Sequence, residues 1–210
     1  MFDFWHFVLF LSAAGVLALM PGPGIFYVAA RTLAGGRSEG LASSFGTGLG
    51  GLVHIIAGAI GISALVMASA EAFTVLKVAG ALYLIYLGIK TWRAAKLAPD
   101  LVAIAPSGAR RAFREGVLVE ALNPKTAAFF LAFIPQFVDP HRGGVALQFA
   151  ALGLISVLLN TAVDAVVVQG ATSLRSRLLR RPQIVRRLRQ TAGGIMCLLG
   201  LSLALTRRPG

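Results

Sequence analysis

The sequence is poor in charged residues and nearly devoid of cysteine. Only 13% of its 210 residues are charged, about half the share that is typical of a soluble globular domain. The single cysteine, Cys197, excludes an internal disulfide and the paired-thiol chemistry of a membrane-embedded thiol–disulfide carrier. The phosphate-binding pattern GxxxxGK[ST] is also missing, so we predict no direct use of ATP and no cofactor.

Long apolar runs take the place of the missing charge. The chain is 57% hydrophobic, and its mean hydropathy is +0.78. Runs of about 20 apolar residues are long enough to cross the roughly 30 Å of a bilayer core, and they lack the alternating pattern of barrel strands. We therefore predict an all-α integral membrane protein, with one transporter domain over residues 1–210. The six predicted spans are 5–29, 41–68, 73–92, 113–138, 145–168 and 191–205, the last beginning earlier within the preceding basic segment.

The basic residues lie mostly between these spans, and the net charge is +12. Because cytoplasmic loops are enriched in lysine and arginine, we predict that loops one, three and five are cytoplasmic and that both termini lie outside. The charge then has its explanation in topology and requires no nucleic-acid partner. The first loop holds Arg31 and Arg37, the third is basic over about 93–112, and the fifth holds seven arginines that anchor the topology or bind anionic lipid headgroups.

Two predicted helices contain residues that interrupt a helix. The first span carries the tetrapeptide Pro21, Gly22, Pro23 and Gly24, and the fourth span carries Asn123, Pro124 and Lys125. Proline removes a backbone donor and clashes with the preceding turn, and glycine adds chain entropy. A single proline would indicate a packing kink only.

The two interruptions occupy corresponding spans of a three-plus-three arrangement, which predicts inverted repeats over about 1–95 and 112–210. Backbone groups freed at a break cannot face lipid unpaired. The helix that starts after each break favours an anionic group, and Lys125 adds a full positive charge. Paired interruptions of this kind indicate a substrate-binding and gating site.

Ionisable and polar residues at membrane depth are the other candidates for function. Asn160 and Asp164 lie four residues apart on the fifth span, and Asp164 either binds a substrate ammonium or a proton, or pairs with a basic group at the cytoplasmic side. His54 caps a helix carbonyl or relays protons. Glu120 is an alternative proton site, which we expect not to share a helix face with Lys125.

Small residues form a face on the second span. Gly46, Gly50, His54 and Gly58 recur every four residues, which predicts close approach by another helix. Such glycine faces serve packing within the chain or a homodimer interface equally well.

The motifs together resemble those of one known family. MPGPG at 20–24, KVAGALYLIYLGIKTWR, EALNPKTAAFFLAFIPQFVDP and TAGGIMCLLGLSLAL occur in this order over nearly the whole chain. The chain resembles the LysE/RhtB amino-acid exporters, closer to the homoserine/threonine (RhtB) branch. The resemblance implies a small exporter of the bacterial inner membrane, driven by the proton motive force, in which both interruptions carry function and His54 and Asp164 match family residue types. It does not transfer the substrate.

These observations give one hypothesis for the mechanism. Backbone amides after the breaks and Lys125 hold the carboxylate of a small amino acid, while Asp164 and Asn160 hold its ammonium group or relay protons, with His54 as a second relay. A divalent-metal exporter is an alternative, for which only His54, Glu120 and Asp164 are available as ligands at membrane depth. A non-transporting scaffold or a membrane enzyme is a further alternative, although no nucleophile–base pair supports an enzyme.

Overall fold

The computed structural model describes residues 4–68, 70–94, 105–140, 143–180 and 182–205. All regular structure in these ranges is helical, which confirms the predicted class. The α-helices are α1 (Phe4–Leu19), α2 (Pro23–Ala68), α3 (Ala70–Ala94), α4 (Ala109–Ala121), α5 (Pro124–Ala128), α6 (Val145–Arg180) and α7 (Pro182–Leu205), and a π-helical turn (Phe129–Phe133) and a 3-10 turn (Ile134–Phe137) follow α5.

Three helical segments are long and apolar enough to cross a membrane. They are Pro23–Gly61, Ala109–Phe137 and Val145–Ser173, and Phe4–Leu19 and Gln190–Leu201 are shorter apolar helices. Large apolar side chains such as Leu9, Ile60, Leu82, Leu122 and Val166 are exposed on the outer faces of the helices. Exposed apolar surface of this extent is expected where lipid replaces water.

Helix α2 is bent sharply at Gly36, whose backbone has φ 75° and ψ −167°. This conformation is open almost only to glycine. The bend divides α2 into a first arm (23–35) and a second arm (37–68). A Cβ atom on Gly40 would overlap the side chain of Thr32, although these residues would lie about 12 Å apart in a straight helix. The two arms therefore lie side by side next to the bend.

The bend corrects the prediction for the first loop. The prediction of a loop around Arg31 and Arg37 is wrong, because the helix continues through both residues and turns only at Gly36. Arg31 is also buried, at 6% exposure, rather than facing the solvent. Paired glycines at 35–36 permit a turn too short to register as a polar interval between two apolar runs.

The predicted fifth loop is also wrong in its extent. Helix α6 continues to Arg180 and α7 begins at Pro182, so the basic segment is helical on both sides of residue 181. Arginine is a good helix former, and proline is well accommodated at a first helical position. The earlier start of the last helix is confirmed. The third predicted loop is shorter as well, because the first turn of α4 includes Arg110 and Arg111. Residues 95–104 of this loop lie outside the described residues.

The predicted glycine face brings helices close together within the chain. A Cβ atom on Gly50 would lie 2.5 Å from the carbonyl oxygen of Val117 on α4, and one on Gly46 would overlap that of Phe113. Helices α3 and α7 meet in the same way, since Cβ atoms on Gly88 and Gly200 would fall 2.7 Å from carbonyl oxygens of the other helix. These glycines therefore serve intramolecular packing.

Candidate functional site

Both predicted interruptions are present, and they lie against each other. Helix α1 ends at Leu19 and α2 begins at Pro23, while α4 ends at Ala121 and α5 begins at Pro124. A Cβ atom on Gly22, in the first break, would lie 3.1 Å from the side chain of Lys125, beside the second break. Two helix C-termini and two helix N-termini thus meet inside the bundle, where their unpaired backbone groups need partners.

Lys125 closes the end of α1. Its ammonium donates hydrogen bonds to the carbonyl oxygens of Leu17 at 3.2 Å and Met20 at 3.0 Å. The last turn of a helix has unpaired carbonyls and a partial negative charge, so a cation is well placed there. The side chain is buried, with 5% exposure of the residue. An ammonium has three donors, and these two contacts leave one for a further acceptor.

Asn123 organises the second break. Its side-chain oxygen accepts the backbone N–H of Lys125 at 3.0 Å and so caps α5, while its amide nitrogen donates to Glu120 Oε2 at 2.8 Å. Pro124 follows at the first helical position, where its missing N–H costs no hydrogen bond. This local sequence therefore ends α4 and starts α5 in a new helical phase.

Glu120 is held on both oxygens, by Asn123 on Oε2 and by the Thr126 hydroxyl on Oε1 at 2.6 Å. Its carboxylate also lies at the N-terminus of α2, where a Cβ atom on Gly24 would be 2.6 Å from Oε2. Glu120 lies on α4 and Lys125 on α5, so the two residues do not share a helix face. Both line the same pocket, because the break between them resets the helical phase.

His54 has the capping role, which was one of its two predicted roles. Its Nε2 lies 2.8 Å from the backbone carbonyl oxygen of Glu120. Since a carbonyl only accepts, Nε2 carries the hydrogen in this contact. His54 therefore serves the C-terminal end of α4 as Lys125 serves that of α1, and it does not line the pocket.

A small pocket that is partly open to its surroundings lies where the breaks meet. Both arms of α2, the two sides of the second break and α6 all contribute to its wall. Six of the predicted site residues line it: Gly24, Glu120, Asn123, Lys125, Asn160 and Asp164. Pro21, Gly22, Pro23 and Pro124 are not in the lining and shape the breaks instead.

Asp164 faces this pocket from α6 and is 4% exposed. Its Oδ2 accepts a hydrogen bond of 2.8 Å from the Thr47 hydroxyl on the second arm of α2. The alternative of an ion pair with a basic residue finds no partner for Asp164 in the part of the chain that the structure describes. Asn160, one turn earlier, donates its amide hydrogen to Ser156 O of its own helix at 2.9 Å.

Several pocket residues escaped the sequence interpretation, among them Thr47, Gly48, Gly51, Thr126 and Thr161. Helix α6 packs closely against Gly48 and Gly51, since Cβ atoms on these glycines would lie 2.8 Å from Thr161 and 2.7 Å from Val157. Gly48 and Gly51 are three residues apart and lie beside the face on which glycines recur every four residues. This second set of glycines was the signal in the sequence that another helix packs on α2. Within the described ranges, no three His, Cys, Asp or Glu side chains are grouped to hold a metal ion.

Comparison with known proteins agrees with the geometry. The family described as LysE type translocator matches residues 15–207. The homoserine/homoserine lactone efflux protein of Salmonella typhimurium is 35% identical, over 98% of each chain. A membrane protein of Vibrio cholerae is also 35% identical, over 98% of this chain and 99% of its own. The leucine efflux protein of Salmonella choleraesuis is 27% identical over 67% of each chain. No solved structure matches the chain.

Proposed function

The chain belongs to the LysE type translocator family, and on this basis we propose that it is a secondary transporter that exports amino acids or close derivatives across the bacterial inner membrane. The names of its relatives favour homoserine, homoserine lactone or leucine as solutes, and we include threonine and other neutral or basic amino acids in the proposal. We further propose that the proton motive force drives export. The family and these names indicate a transporter rather than an enzyme.

One observation carries the proposal: two interrupted helices meet at a pocket that offers both signs of charge. Lys125, Glu120 and Asp164 all line this pocket. A zwitterion needs both a donor-rich and an acceptor-rich end in its site. Broken helices that converge in this way are the sequence and structural mark of many transporter sites.

The substrate carboxylate binds at the donor-rich end. Helix α2 begins at Pro23, so the amides of Gly24 and Ile25 in its first turn have no acceptor within the helix. Both residues line the pocket together with Lys125. The two amides and the third ammonium donor of Lys125 supply the hydrogen bonds, and Pro21, Gly22, Pro23 and Pro124 keep the breaks open.

Lys125 links binding to movement of α1. Its ammonium already holds the carbonyls of Leu17 and Met20. A substrate carboxylate is a stronger partner for a cation than a neutral carbonyl is. When the substrate binds, it therefore weakens the hold of Lys125 on α1, and the end of that helix is freed to move between the two access states.

The ammonium end and the coupling proton belong to α6. Asp164 and Asn160 line the pocket together, and Asp164 has only one hydrogen bond, from Thr47, among those of the described residues. A proton and the substrate ammonium compete for the carboxylate of Asp164. This competition couples the movement of protons to the movement of the substrate. Glu120 is a second proton site. His54 reaches the backbone carbonyl of Glu120 and not its carboxyl group, so a relay role for His54 rests on its position in the sequence alone.

Contacts at the bend of α2 support the proposed topology. Glu39, just after the bend, accepts the backbone N–H groups of Ser107 and Gly108, which precede α4. Val168, toward the basic end of α6, lies against Gly40. The first, third and fifth connections thus belong to one end of the bundle. The excess of basic residues there supports our proposal that this end is cytoplasmic and that both termini lie outside, in two inverted repeats.

The test is counterflow in proteoliposomes that contain the purified protein. Liposomes loaded with unlabelled threonine, homoserine, leucine or lysine should accumulate the labelled form of at least one of them, and protein-free liposomes should not. Lys125→Met should abolish this exchange, because it removes the charge at nearly constant volume. Lys90→Met is the matched control, since Lys90 is exposed on α3 and lies over the ring of Tyr86, away from the pocket. Absence of exchange for every amino acid tested would refute the proposal.

A further inference from the structure

A second group of buried charges lies outside the pocket, between the bend of α2 and the start of α4. Arg31, on the first arm of α2, forms an ion pair through Nη2 with Glu115 Oε2 on α4. Its Nε donates to the hydroxyl of Tyr27 at 3.1 Å, and its Nη1 donates to the backbone carbonyl of Ala105 at 3.2 Å. The first arm is thereby fastened to α4 and to the segment before it.

Glu39 stands across the bend from Arg31 and is only partly satisfied. Its Oε1 accepts the backbone N–H groups of Ser107 and Gly108 at 2.8 and 2.7 Å. Its Oε2 is buried and has no hydrogen bond, and Arg31 Nη1 lies 3.8 Å away. A buried carboxylate oxygen without a hydrogen bond is costly. One guanidinium therefore stands between two carboxylates and fully engages only Glu115.

The position of this group relative to the pocket follows from helix geometry. At 1.5 Å per residue, Gly24 on the first arm and Thr47 on the second arm both lie about 17 Å from the bend at Gly36. Both residues line the pocket, so the pocket lies between the arms at that distance. Arg31 is only about 8 Å from the bend along the first arm. The charged group thus lies between the pocket and the end of the bundle that holds the bend.

The first arm is also bounded on both sides by residues that permit rotation. Gly36 forms one end in a conformation reserved for glycine. The Pro21–Gly24 break forms the other end. The only side-chain hydrogen bonds that join this arm to another element, among those of the described residues, come from Tyr27 and Arg31 to α4 and to Ala105. The arm also packs through the buried side chains of Val28, Ala30 and Leu33. A rigid helix that lies between two pivots and is held by a polar fastening has the construction of a hinged gate.

We propose that the first arm of α2 is the gate between the pocket and the end of the bundle at the bend, with Gly36 as its hinge and Arg31 as its latch. In the closed state Arg31 pairs with Glu115. In the open state the arm swings away from α4, and Arg31 transfers to the unsatisfied oxygen of Glu39. The use of this gate by a solute rests on the proposed transport function, but its opening is measurable without any solute.

The experiment measures access to the pocket with a thiol reagent. In a Cys197→Ser background, Thr161→Cys places the only thiol in the pocket wall, and a membrane-impermeant maleimide is applied to right-side-out and to inverted vesicles. Ser38→Cys, an exposed position beside the bend, identifies the side on which the gate opens. Arg31→Gln should raise the labelling rate of the pocket thiol from that side roughly tenfold, since a closed state is typically favoured by a few kcal/mol, and should leave labelling from the other side unchanged.

Arg37→Gln is the matched control, because this substitution removes the same charge at an exposed position one residue past the hinge. The pocket thiol of this variant should be labelled at the same rate as in the parent protein. If Arg31→Gln fails to fold, Glu115→Gln is the second variant and should raise labelling in the same direction. Unchanged labelling in a folded latch variant, or an increase only from the opposite side, overturns the gate. Latch-dependent labelling in a protein without amino-acid counterflow keeps the gate and rejects the proposed function.

Discussion

The ammonium of Lys125 lies 3.0 Å from the carbonyl oxygen of Met20, so a residue of the second break completes the helix that ends at the first. The two breaks are therefore one structural unit. Their residues are more than a hundred positions apart in the chain, yet Gly22 packs directly on the Lys125 side chain. Perturbing either break should change the other.

Gly22→Ala tests this relationship with a single methyl group. The new Cβ would lie 3.1 Å from Lys125 Cδ and Cε and 3.3 Å from its Nζ, which pushes the ammonium off the carbonyls of α1. We expect export to fall roughly tenfold or more with a small change in thermal stability, because the lysine chain is flexible enough to move. Gly15→Ala is the control, since its Cβ would meet nothing within 4 Å; counterflow of this variant should match wild type. Equal activity of the two variants would refute the coupling.

Asp164→Asn should separate exchange from proton coupling. The amide keeps the shape of the side chain and retains an oxygen that accepts from Thr47, but it cannot bind and release a proton near neutral pH. We expect labelled amino acid to exchange in counterflow more weakly than in wild type, because the amide oxygen accepts from the substrate ammonium without a charge, while an imposed pH gradient no longer drives net movement. The measurement is solute flux in proteoliposomes with and without the gradient. A gradient response equal to that of wild type would make Asp164 a structural residue.

His54→Ala should act on stability through α4. The substitution removes the 2.8 Å hydrogen bond to the backbone carbonyl of Glu120, which keeps its bond from the N–H of Asn123, and the loss of one such hydrogen bond costs about 0.5–1.5 kcal/mol. We expect a lower melting temperature in detergent. His54→Gln is the informative partner, because it retains a donor that caps the carbonyl but has no proton to relay. Full activity and an unchanged pH profile in this variant would assign His54 to capping; a lost pH response would assign it to the relay.

Gly36→Ala should harm the protein at the hinge. A side chain at φ 75° and ψ −167° is strained, and such conformations cost about 1–3 kcal/mol. We expect lower thermal stability and slower export. Gly61→Ala is the control, because its Cβ meets nothing within 4 Å and its φ is that of an ordinary helix; it should be neutral or stabilising by up to about 1 kcal/mol. Wild-type behaviour of Gly36→Ala would exclude a hinge there.

The sequence was informative wherever the local chemistry is self-contained. Proline and glycine interrupt a helix regardless of what surrounds them, so both breaks were predictable. Asn160 and Asp164 are polar on an apolar helix and had to face the interior. The long apolar runs likewise indicated membrane helices.

It failed where the deciding partner is remote. Arg31 resembles any loop arginine until Glu115, 84 residues away, is placed beside it. Glu120 and Lys125 do not share a helix face, and the sequence did not show that both line one pocket. The number of basic residues in each loop indicates topology, but it does not distinguish an exposed arginine from a buried one. These errors arise because the deciding contacts join residues that are far apart in the chain, and a short stretch of sequence does not show such contacts.

The exchange of caps between the two halves has a consequence for how the protein is made. The carbonyls of Leu17 and Met20 accept the ammonium of a residue 105–108 positions later, that of Leu17 in addition to the N–H of Met20, and α4 is capped in turn by His54 from the earlier half. During synthesis, the N-terminal half enters the bilayer with a helix end that Lys125 does not yet cap. Each half is an incomplete structure until the other is inserted, so the two halves should be protected from proteolysis only when they are produced together.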